Sequence, residues 1–170
     1  QLKTSGLNTS DTLNPDFSWA SSDISVIKNQ FNLKKYILLF PFCSPHLTIK
    51  KWPYYNDLIN LISNKFGDEY KILNAPGPKD IIDAKEINAL GILDRGKSRD
   101  VSQLTSLIID SSFVVANDTG PAHISAHVGA RGLTLFGTHT TAHKVSIERK
   151  NFKAIEVSDL NNLSAEKVFE

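Results

Sequence analysis

One short run, residues 118–123 with the sequence DTGPAH, brings together a carboxylate, a hydroxyl, a glycine and an imidazole. A glycine lets a ligand approach the backbone closely. If a helix begins here, its first N–H groups are free and carry a partial positive charge, and both properties suit phosphate. The N–H groups of Thr119 and Gly120 and the Thr119 hydroxyl are therefore candidates to bind phosphate oxygens, with His123 as a further donor. The alternative is an ordinary turn and helix cap, in which His123 is a hydrogen-bonded core histidine.

The surrounding sequence predicts the elements that would position this run. Residues 113–116 (FVVA) are apolar and rich in β-branched side chains, which predicts a buried strand. Residues 121–128 predict a short helix with Pro121 in its first turn, where the missing N–H costs nothing, and Gly129 is expected to end it. A further strand is predicted at 133–136. The polar run thus follows the carboxyl end of a strand, which is where ligands bind in open α/β sheets.

Lys50 is the second candidate, and it too follows a predicted strand. That strand covers 36–40 (YILLF), a loop with two prolines covers 41–49, and Lys50-Lys51-Trp52-Pro53 leads into a helix predicted at 54–66. A lysine near the carboxyl end of a strand is a plausible counter-charge for a diphosphate. The alternative is that Lys50 and Lys51 form a solvated surface pair.

Residues 91–98 (GILDRGKS) match the phosphate-loop pattern G-x-x-x-x-G-K-S. A true phosphate loop follows a buried strand and opens a long helix. Here the pattern follows a predicted helix, and Asp100 is expected to cap the next helix only after a gap. A phosphate-loop nucleotide-binding module is therefore kept only as an alternative, beside a non-catalytic α/β binding domain.

Two histidine pairs have the i, i+4 spacing of some zinc sites: His123 with His127, and His139 with His143. No glutamate follows the first histidine of either pair, as it does in H-E-x-x-H, and the second pair lies in a predicted loop at 137–146. The chain also lacks the G-x-S-x-G elbow of serine hydrolases. We therefore expect neither a metal site nor a serine hydrolase.

Strands alternate with helices along the rest of the chain, which predicts an α/β fold with a mostly parallel sheet. Residues 1–32 are polar and are interpreted as a linker or crossover segment with one short helix near 23–30, and 33–170 as one domain. Phe17 and Trp19 are expected to pack against that domain. The other predicted elements are strands at 70–73, 91–93 and 152–157, a helix at 79–90, and helices at 101–109 and 165–169 that Asp100 and Ser164 would cap.

The composition argues against several classes of protein. The 170 residues carry 19 Lys and Arg against 18 Asp and Glu, whereas nucleic-acid-binding proteins have a large basic excess. The single cysteine, Cys43, excludes an internal disulfide and fits a reducing compartment such as the cytoplasm. No run approaches the roughly 18 apolar residues of a membrane span. The polar start, without methionine, is not the pattern of a signal peptide, and the chain is expected to be a domain of a longer protein.

Taken together, these motifs resemble those of the family 9 glycosyltransferases, typified by the ADP-heptose:lipopolysaccharide heptosyltransferases. That family has a K-x-W-P motif after the first strand of its C-terminal domain, which Lys50, Trp52 and Pro53 match. Its D-[ST]-G-x-x-H motif, followed by a helix of small residues and a strand that ends in F-G, is matched by 118–123 and 136–137. The resemblance covers about residues 36–157 in order.

The resemblance implies a GT-B fold, in which two Rossmann-like domains face each other across a cleft, and this chain would be the C-terminal, donor-binding half. It implies an inverting enzyme, without cofactor or metal, that transfers heptose or a related sugar from ADP-heptose or another nucleotide sugar to a lipopolysaccharide-type or other glycan. The catalytic base, an aspartate, and the acceptor site would lie in an N-terminal domain outside this chain. We therefore expect no catalytic residue in it and no transfer by it alone. The full protein is expected in the cytoplasm or at the inner face of the membrane.

The resemblance also places a set of residues around the donor, all of them in or just after loops that follow strands: Cys43, Ser44, Lys50, Asp80, Asp118, Thr119, Gly120 and His123. Lys50 would contact the diphosphate, and Asp118 would bind the sugar or position its own loop. Thr119, Gly120 and His123 would hold the phosphates. The others would line the same pocket, with Asp80 near the family's acidic donor-binding residue. The long loop 42–49, and Arg131 where proline is usual, depart from the family pattern and bear on which donor is used.

We predict that Lys50→Ala and His123→Ala weaken the binding of a nucleoside diphosphate, because each change removes a group that would contact the phosphates. Lys97→Ala changes the lysine of the phosphate-loop match and serves as the control, which should bind as the wild type does. Isothermal titration calorimetry with ADP measures all three variants. Loss of binding in Lys97→Ala alone would instead establish the phosphate-loop interpretation.

Overall fold

The computed structural model describes residues 2–10 and 17–170. Its centre is a sheet of six parallel strands in the order β3-β2-β1-β4-β5-β6. The strands are β1 (Tyr36–Phe40), β2 (Lys71–Asn74), β3 (Leu90–Gly91), β4 (Phe113–Asn117), β5 (Gly132–Phe136) and β6 (Phe152–Glu156). The direction of the strand order reverses between β1 and β4, as in Rossmann-like folds. The predicted α/β class is confirmed, and the six predicted strands are found with ends that differ by at most two residues.

The central strands are continuous apolar runs because both faces of the sheet are covered. All five residues of β1 are buried, and so are residues 114–117 of β4. Parallel strands have this pattern since the helices that connect them pack on both sides of the sheet. Neighbouring residues of β1 accordingly belong to different clusters: Leu38 lies in one and Leu39 in the other.

Helices form a layer on each face. They are α1 (Ser25–Phe31), α2 (Tyr55–Phe66), α3 (Val101–Asp110), α4 (Gly120–His127), α5 (Ala142–Val145) and α6 (Ala165–Phe169). One cluster takes Ile27 from α1, Leu107 from α3 and Ala126 from α4, whereas the other takes Leu58 from α2 and Val168 from α6. None of the helices in the described ranges is both long and apolar enough to cross a membrane.

The predicted helix ends are confirmed where a capping residue marks them. The Asp100 side chain accepts a hydrogen bond from the Gln103 N–H at the start of α3, and Ser164 accepts from the Lys167 N–H at the start of α6. Pro121 stands in the first turn of α4, and Gly129, with a φ of 73°, follows the end of that helix. These residues fix where each of the three helices begins or ends.

The helix predicted at 79–90 is wrong. This segment forms turns and one 3-10 turn, Asp83–Glu86, before β3 begins. Its backbone bonds to the side chain of Asn56 on α2, which donates to the Glu86 carbonyl (2.8 Å) and accepts from the Asn88 N–H (2.9 Å). Because these backbone groups are bonded across the fold, the segment keeps a non-helical path.

Several side chains are also more exposed than predicted. On the apolar sides of α3 and α2, Val101 and Phe66 are 67% and 40% exposed, since each stands at the end of its helix. Trp19 is 78% exposed and does not pack into the core. Phe17 does make a contact, edge-on to the His127 ring at 5.5 Å. The predicted loop 137–146 contains α5, which the Thr141 hydroxyl caps by accepting from the Lys144 N–H.

The domain boundary predicted between residues 32 and 33 stays a prediction. Residues 1 and 11–16 of the proposed linker lie outside those that the structure describes. The rest of that segment includes α1, and Ile24 and Ile27 belong to the core cluster on its face of the sheet. The Ser22 N–H also donates to the Ser106 hydroxyl of α3 at 2.7 Å.

Gly132 on β5 leaves no space for a side chain. A Cβ there would meet the Val114 carbonyl oxygen and would lie 3.0 Å from both the Phe152 ring and the Val114 Cβ. We predict that Gly132→Ala lowers the free energy of unfolding by about 1–3 kcal/mol, because β4 and β5 must separate. Urea denaturation measures the change.

Gly120→Ala is the matched control for this substitution. Apart from its chain neighbours and the backbone of α4, no described atom lies within 4 Å of the position its Cβ would take, so we expect a change of less than about 0.5 kcal/mol. Equal destabilisation by the two alanines would contradict the steric argument.

Candidate functional site

A cleft of about 920 Å³ opens at the carboxyl ends of β1, β2 and β4. It includes the point between β1 and β4 where the strand order reverses, which is where ligands bind in such sheets. The predicted site residues that line it are Cys43, Ser44, Lys50, Asp80, Asp118, Thr119 and Gly120. The remaining one, His123, lies one turn further along α4 and contacts Asp118. The structure therefore brings together all the residues that the sequence singled out for this site.

Lys50 and Asp118 form an ion pair in this cleft. The Lys50 Nζ lies 2.7 Å from the Asp118 Oδ2 and 3.4 Å from the Asp118 carbonyl oxygen. The two side chains are 20% and 3% exposed. Lys50 is therefore not half of a solvated pair with Lys51, the alternative that the sequence left open. The pair joins the loop after β1 to the loop after β4.

Two histidines contact the same carboxylate. The His139 Nε2 lies 3.0 Å from the Asp118 Oδ2, and the His123 Nε2 lies 3.6 Å from Oδ1. The first distance is that of a hydrogen bond and the second is longer than one. The His123 side chain is 37% exposed, whereas that of His139 is 7% exposed. His123 is thus not the buried core histidine of the alternative interpretation.

These contacts keep Asp118 ionised. Burial alone would raise the pKa of Asp118, but the contacts from His123, Lys50 and His139 outweigh burial and hold that pKa well below its usual range. The cleft therefore contains a carboxylate and an ammonium that neutralise each other. An anionic ligand that binds to Lys50 has to compete with Asp118 for the ammonium.

Asn117, the last residue of β4, holds the loops around the pair in place. Its buried side chain donates to the Pro41 carbonyl after β1 (2.8 Å) and accepts from the Tyr55 hydroxyl (3.2 Å). The Trp52 N–H also points to the Asn117 Oδ1, at 3.4 Å. Trp52 is 1% exposed, and its indole N–H donates to the Leu163 carbonyl at 2.7 Å. The tryptophan of the K-x-W-P motif is thus an anchor that positions Lys50, two residues before it.

Thr119 and Gly120 place the beginning of α4 in the wall of the cleft. Thr119 precedes the helix in an extended conformation, with φ of −148° and ψ of 173°, and its side chain makes no capping hydrogen bond to the helix. Its hydroxyl lies 3.3 Å from the Asn117 carbonyl. The Ala122 and His123 N–H groups donate to the Thr119 carbonyl, at 3.0 and 3.3 Å, and Pro121 has no N–H. The beginning of α4 therefore offers an anion in the cleft the Gly120 N–H and the partial positive charge of the helix.

Cys43, Ser44 and Asp80 lie on the wall formed by the loops after β1 and β2. The Cys43 thiol donates to the Leu47 carbonyl at 3.4 Å, and burial raises the pKa of this thiol. Burial, with the nearby charge of Asp83, also raises the pKa of Asp80, although the Gly77 backbone N–H opposes the shift. The structure confirms that these three residues share the cleft, and their roles there stay predictions.

The sequence pattern did not single out Arg99 and considered His139 only as a metal ligand. Arg99 lines the cleft with a side chain that is 6% exposed and donates to the Leu93 carbonyl at 2.7 Å. His139 follows β5, and β5 pairs with β4 in the sheet. Strand order is therefore the signal that would have found His139. The loops after neighbouring parallel strands begin at the same edge of the sheet, so the loop after β5 lies beside the loop after β4.

The rejection of a phosphate loop is confirmed by the backbone. Within 91–98, Asp94 and Lys97 pair in an antiparallel bridge around a tight turn. The two residues of that turn, Arg95 and Gly96, have φ values of 49° and 80°. This turn does not open a helix, since α3 begins only at Val101.

The spacing of His123 and His127 has a structural explanation. The His127 Nδ1 lies 2.7 Å from the His123 carbonyl oxygen, and its Nε2 lies 3.1 Å from the Arg149 guanidinium. Both ring nitrogens of His127 therefore have protein partners. Across residues 2–10 and 17–170, no group of three or more His, Cys, Asp and Glu side chains is arranged to hold a metal ion.

A family model described as glycosyltransferase family 9 (heptosyltransferase) matches residues 3–167. This range includes the whole cleft and nearly all of the chain. The chain belongs to glycosyltransferase family 9. The resemblance inferred from the K-x-W-P and D-[ST]-G-x-x-H motifs is thereby confirmed. A comparison with curated proteins found no match.

Solved structures of heptosyltransferases share the fold of this family 9 chain. E. coli heptosyltransferase WaaC with ADP is similar with a TM-score of 0.70 and 20% identity, over 98% of this chain and 51% of that one. E. coli ADP-heptose lps heptosyltransferase II is similar with a TM-score of 0.69 and 18% identity, over 96% and 50% of the two chains. The family 9 chain thus spans about half the length of the heptosyltransferases that it matches.

The same fold also occurs with other chemistry. Methanocaldococcus jannaschii UDP-GlcNAc 2-epimerase in complex with UDP-GlcNAc and UDP is similar with a TM-score of 0.57 and 14% identity, over 94% of this chain and 43% of that one. Likeness at this level shows the fold alone. The reaction and the substrate therefore have to be argued from the site.

We predict that Asp118→Asn lowers the free energy of unfolding at neutral pH by about 1–3 kcal/mol, because Lys50 loses its counter-charge. The folded-state pKa of Asp118 is depressed, so its stabilisation is complete above the unfolded-state pKa of about 3.9 and is lost as the pH falls towards the folded-state value. The difference between the two proteins should be constant from about pH 7 to about pH 5 and shrink below about pH 4. Urea denaturation across this pH range measures it.

Asp100→Asn is the control for that experiment. It makes the same chemical change at an exposed helix cap, where asparagine caps about as well as aspartate. Its stability should stay close to that of the wild type. A deficit in Asp118→Asn that is the same at every pH would show that Asp118 is not the ionised partner.

Proposed function

We propose that this chain binds an ADP-sugar and forms the donor half of a glycosyltransferase that transfers heptose or a related sugar to a glycan. The observation that carries the proposal is the meeting of Lys50, Asp118 and the beginning of α4 in one cleft. Membership of family 9 supports the class of reaction. The E. coli heptosyltransferase WaaC, which shares the fold, is described with ADP and with ADP-2-deoxy-2-fluoro heptose, and this supports the class of donor.

The site would act on the leaving group. When an acceptor hydroxyl attacks the anomeric carbon, the bond from that carbon to the diphosphate breaks and negative charge grows on the nucleoside diphosphate. The Lys50 ammonium and the Gly120 N–H at the beginning of α4 lie on the same cleft and suit that charge. Because they are fixed before the reaction, they stabilise the leaving group without reorganisation. In this proposal they replace a divalent metal, and no cofactor takes part.

The base and the acceptor site would come from elsewhere. Asp118 is an unsuitable base, because a carboxylate whose pKa lies well below its usual range accepts a proton poorly. We propose that a second domain of a GT-B fold, of which this chain is the C-terminal half, supplies both the base and the binding site for a lipopolysaccharide-type or other glycan. Cys43 is a free cysteine, which supports a location in the cytoplasm or at the inner face of the membrane.

Nucleotide selectivity tests the proposal. We expect ADP to bind to the purified protein more tightly than UDP or GDP in isothermal titration calorimetry, and EDTA to leave its affinity unchanged. With ADP-heptose and a lipopolysaccharide-type acceptor, we expect no release of ADP by this chain alone, because the base and the acceptor site would come from the second domain. Tighter binding of UDP together with epimerisation of UDP-GlcNAc would favour the chemistry of the epimerases instead. Failure to bind any of the three nucleotides would contradict the proposed function.

A further inference from the structure

We propose that His139 is a positioning residue, which holds the Asp118 carboxylate in place when Lys50 turns from Asp118 to the diphosphate of the donor. This inference rests on the proposed function, since it requires a ligand that competes for Lys50. It concerns a residue that follows β5, outside the motifs that identify the family. The inference is argued from the contacts of Asp118 and the burial of its partners.

Asp118 loses its counter-charge when a ligand draws Lys50 away. Its carboxylate is 3% exposed, so water does not replace a lost partner. Lys50 lines the cleft and its ammonium lies 2.7 Å from the Asp118 Oδ2. A diphosphate that draws this ammonium away would leave a buried carboxylate without its counter-charge, which opposes ligand binding.

Among the described residues, two partners of Asp118 then remain, His123 and His139, and they differ in burial. His123 is 37% exposed, stands 3.6 Å from Oδ1 and is itself a candidate to contact phosphate. His139 is 7% exposed and donates to Oδ2 at 3.0 Å. Neither histidine is among the described residues that line the cleft, but the deeper burial of His139 keeps a ligand there from taking it from Asp118. His139 is therefore the donor that stays with the carboxylate in both states.

Only one ring nitrogen of His139 has a hydrogen-bond partner among the described residues. In the part of the chain that the structure describes, the buried Nδ1 of His139 has no hydrogen-bond partner. The Nε2 faces a carboxylate oxygen, which can only accept a hydrogen bond, so the Nε2 carries the proton of this contact. His139 therefore offers Asp118 one hydrogen bond. It can satisfy the carboxylate without competing with the pairing of Lys50.

The orientation of the ring is fixed by its packing. His139 stacks on Phe136, the last residue of β5, with 14° between the ring planes and 5.8 Å between the centroids. Phe136 is fully buried in the core. The imidazole is thus held by the sheet rather than by the cleft. This is the arrangement that a fixed support for Asp118 requires.

Two substitutions separate the hydrogen bond from the packing. His139→Phe keeps an aromatic ring on Phe136 and removes the donor, whereas His139→Gln keeps an N–H donor at a similar reach and removes the ring. ADP and adenosine are the probes, measured by calorimetry on the purified protein. We expect His139→Phe to weaken ADP about tenfold, and His139→Gln to stay within about threefold of the wild type. Adenosine, which has no phosphate to draw on Lys50, should bind equally to all three.

A double-mutant cycle with Lys50→Met tests the route of the effect. Without Lys50 there is no exchange of partners, so His139→Phe should weaken ADP by less than about twofold in that background. A loss of ADP binding as large as in the wild-type background would overturn the inference. So would an equal loss of ADP and adenosine with a lower melting temperature, because that pattern indicates a purely structural role.

The remaining outcomes distinguish this inference from the function on which it rests. If the wild type binds ADP and His139→Phe binds it equally well, the positioning role is wrong and the proposed function stands. If the wild type does not bind ADP at all, the proposed ADP-sugar donor is wrong and the role of His139 falls with it. Should His139→Phe fail to fold, His139→Gln and the shorter His139→Asn decide. Only the longer amide should then retain ADP affinity, and equal affinity of the two would overturn the inference.

Discussion

The structure of the cleft depends on one constraint, the burial of the charged Asp118 carboxylate. A buried charge that loses its partner costs on the order of 3–5 kcal/mol. The fold meets this requirement with groups from three places: Lys50 after β1, His139 after β5 and His123 on α4. Because β1 and β5 both pair with β4, their following loops lie beside the residue that needs them. Strand order and charge neutralisation are thus two aspects of one arrangement.

A second layer of hydrogen bonds holds this arrangement rigid. Asn117 joins the end of β4 to Pro41 and Tyr55, and Trp52 extends the connection to the Leu163 carbonyl before α6. Each of these groups is buried, so the bonds are protected from exchange with water. The consequence is that the ammonium of Lys50 is placed by the core of the domain and not by a loose surface loop. A preformed site of this kind binds with little loss of conformational entropy.

Two groups of the site, the Lys50 ammonium and the Asp118 carboxylate, also neutralise each other. In the ligand-free molecule the ammonium that suits a phosphate is already paired with Asp118. A ligand has to offset the loss of that pair, which favours one that supplies several phosphate oxygens and also contacts the beginning of α4. Asp118, kept ionised, would then be free to accept a hydrogen bond from a sugar hydroxyl. The fold alone does not decide this chemistry, since heptosyltransferases and epimerases share the fold. The polar groups at the strand ends decide it.

The sequence by itself determined the features that depend on neighbouring residues. The buried strands, the caps at Asp100 and Ser164, and the beginning of α4 near Gly120 are set by local patterns, and they were predicted correctly. Tertiary structure decided what depends on residues far apart in the chain. Asn56 bonds to the backbone about 30 residues later and keeps 79–90 from forming a helix. Asp118 pairs with Lys50 across 68 residues and with His139 across 21. Local patterns carry no information on which strands become neighbours, and it is the order β1-β4-β5 that brings these side chains together.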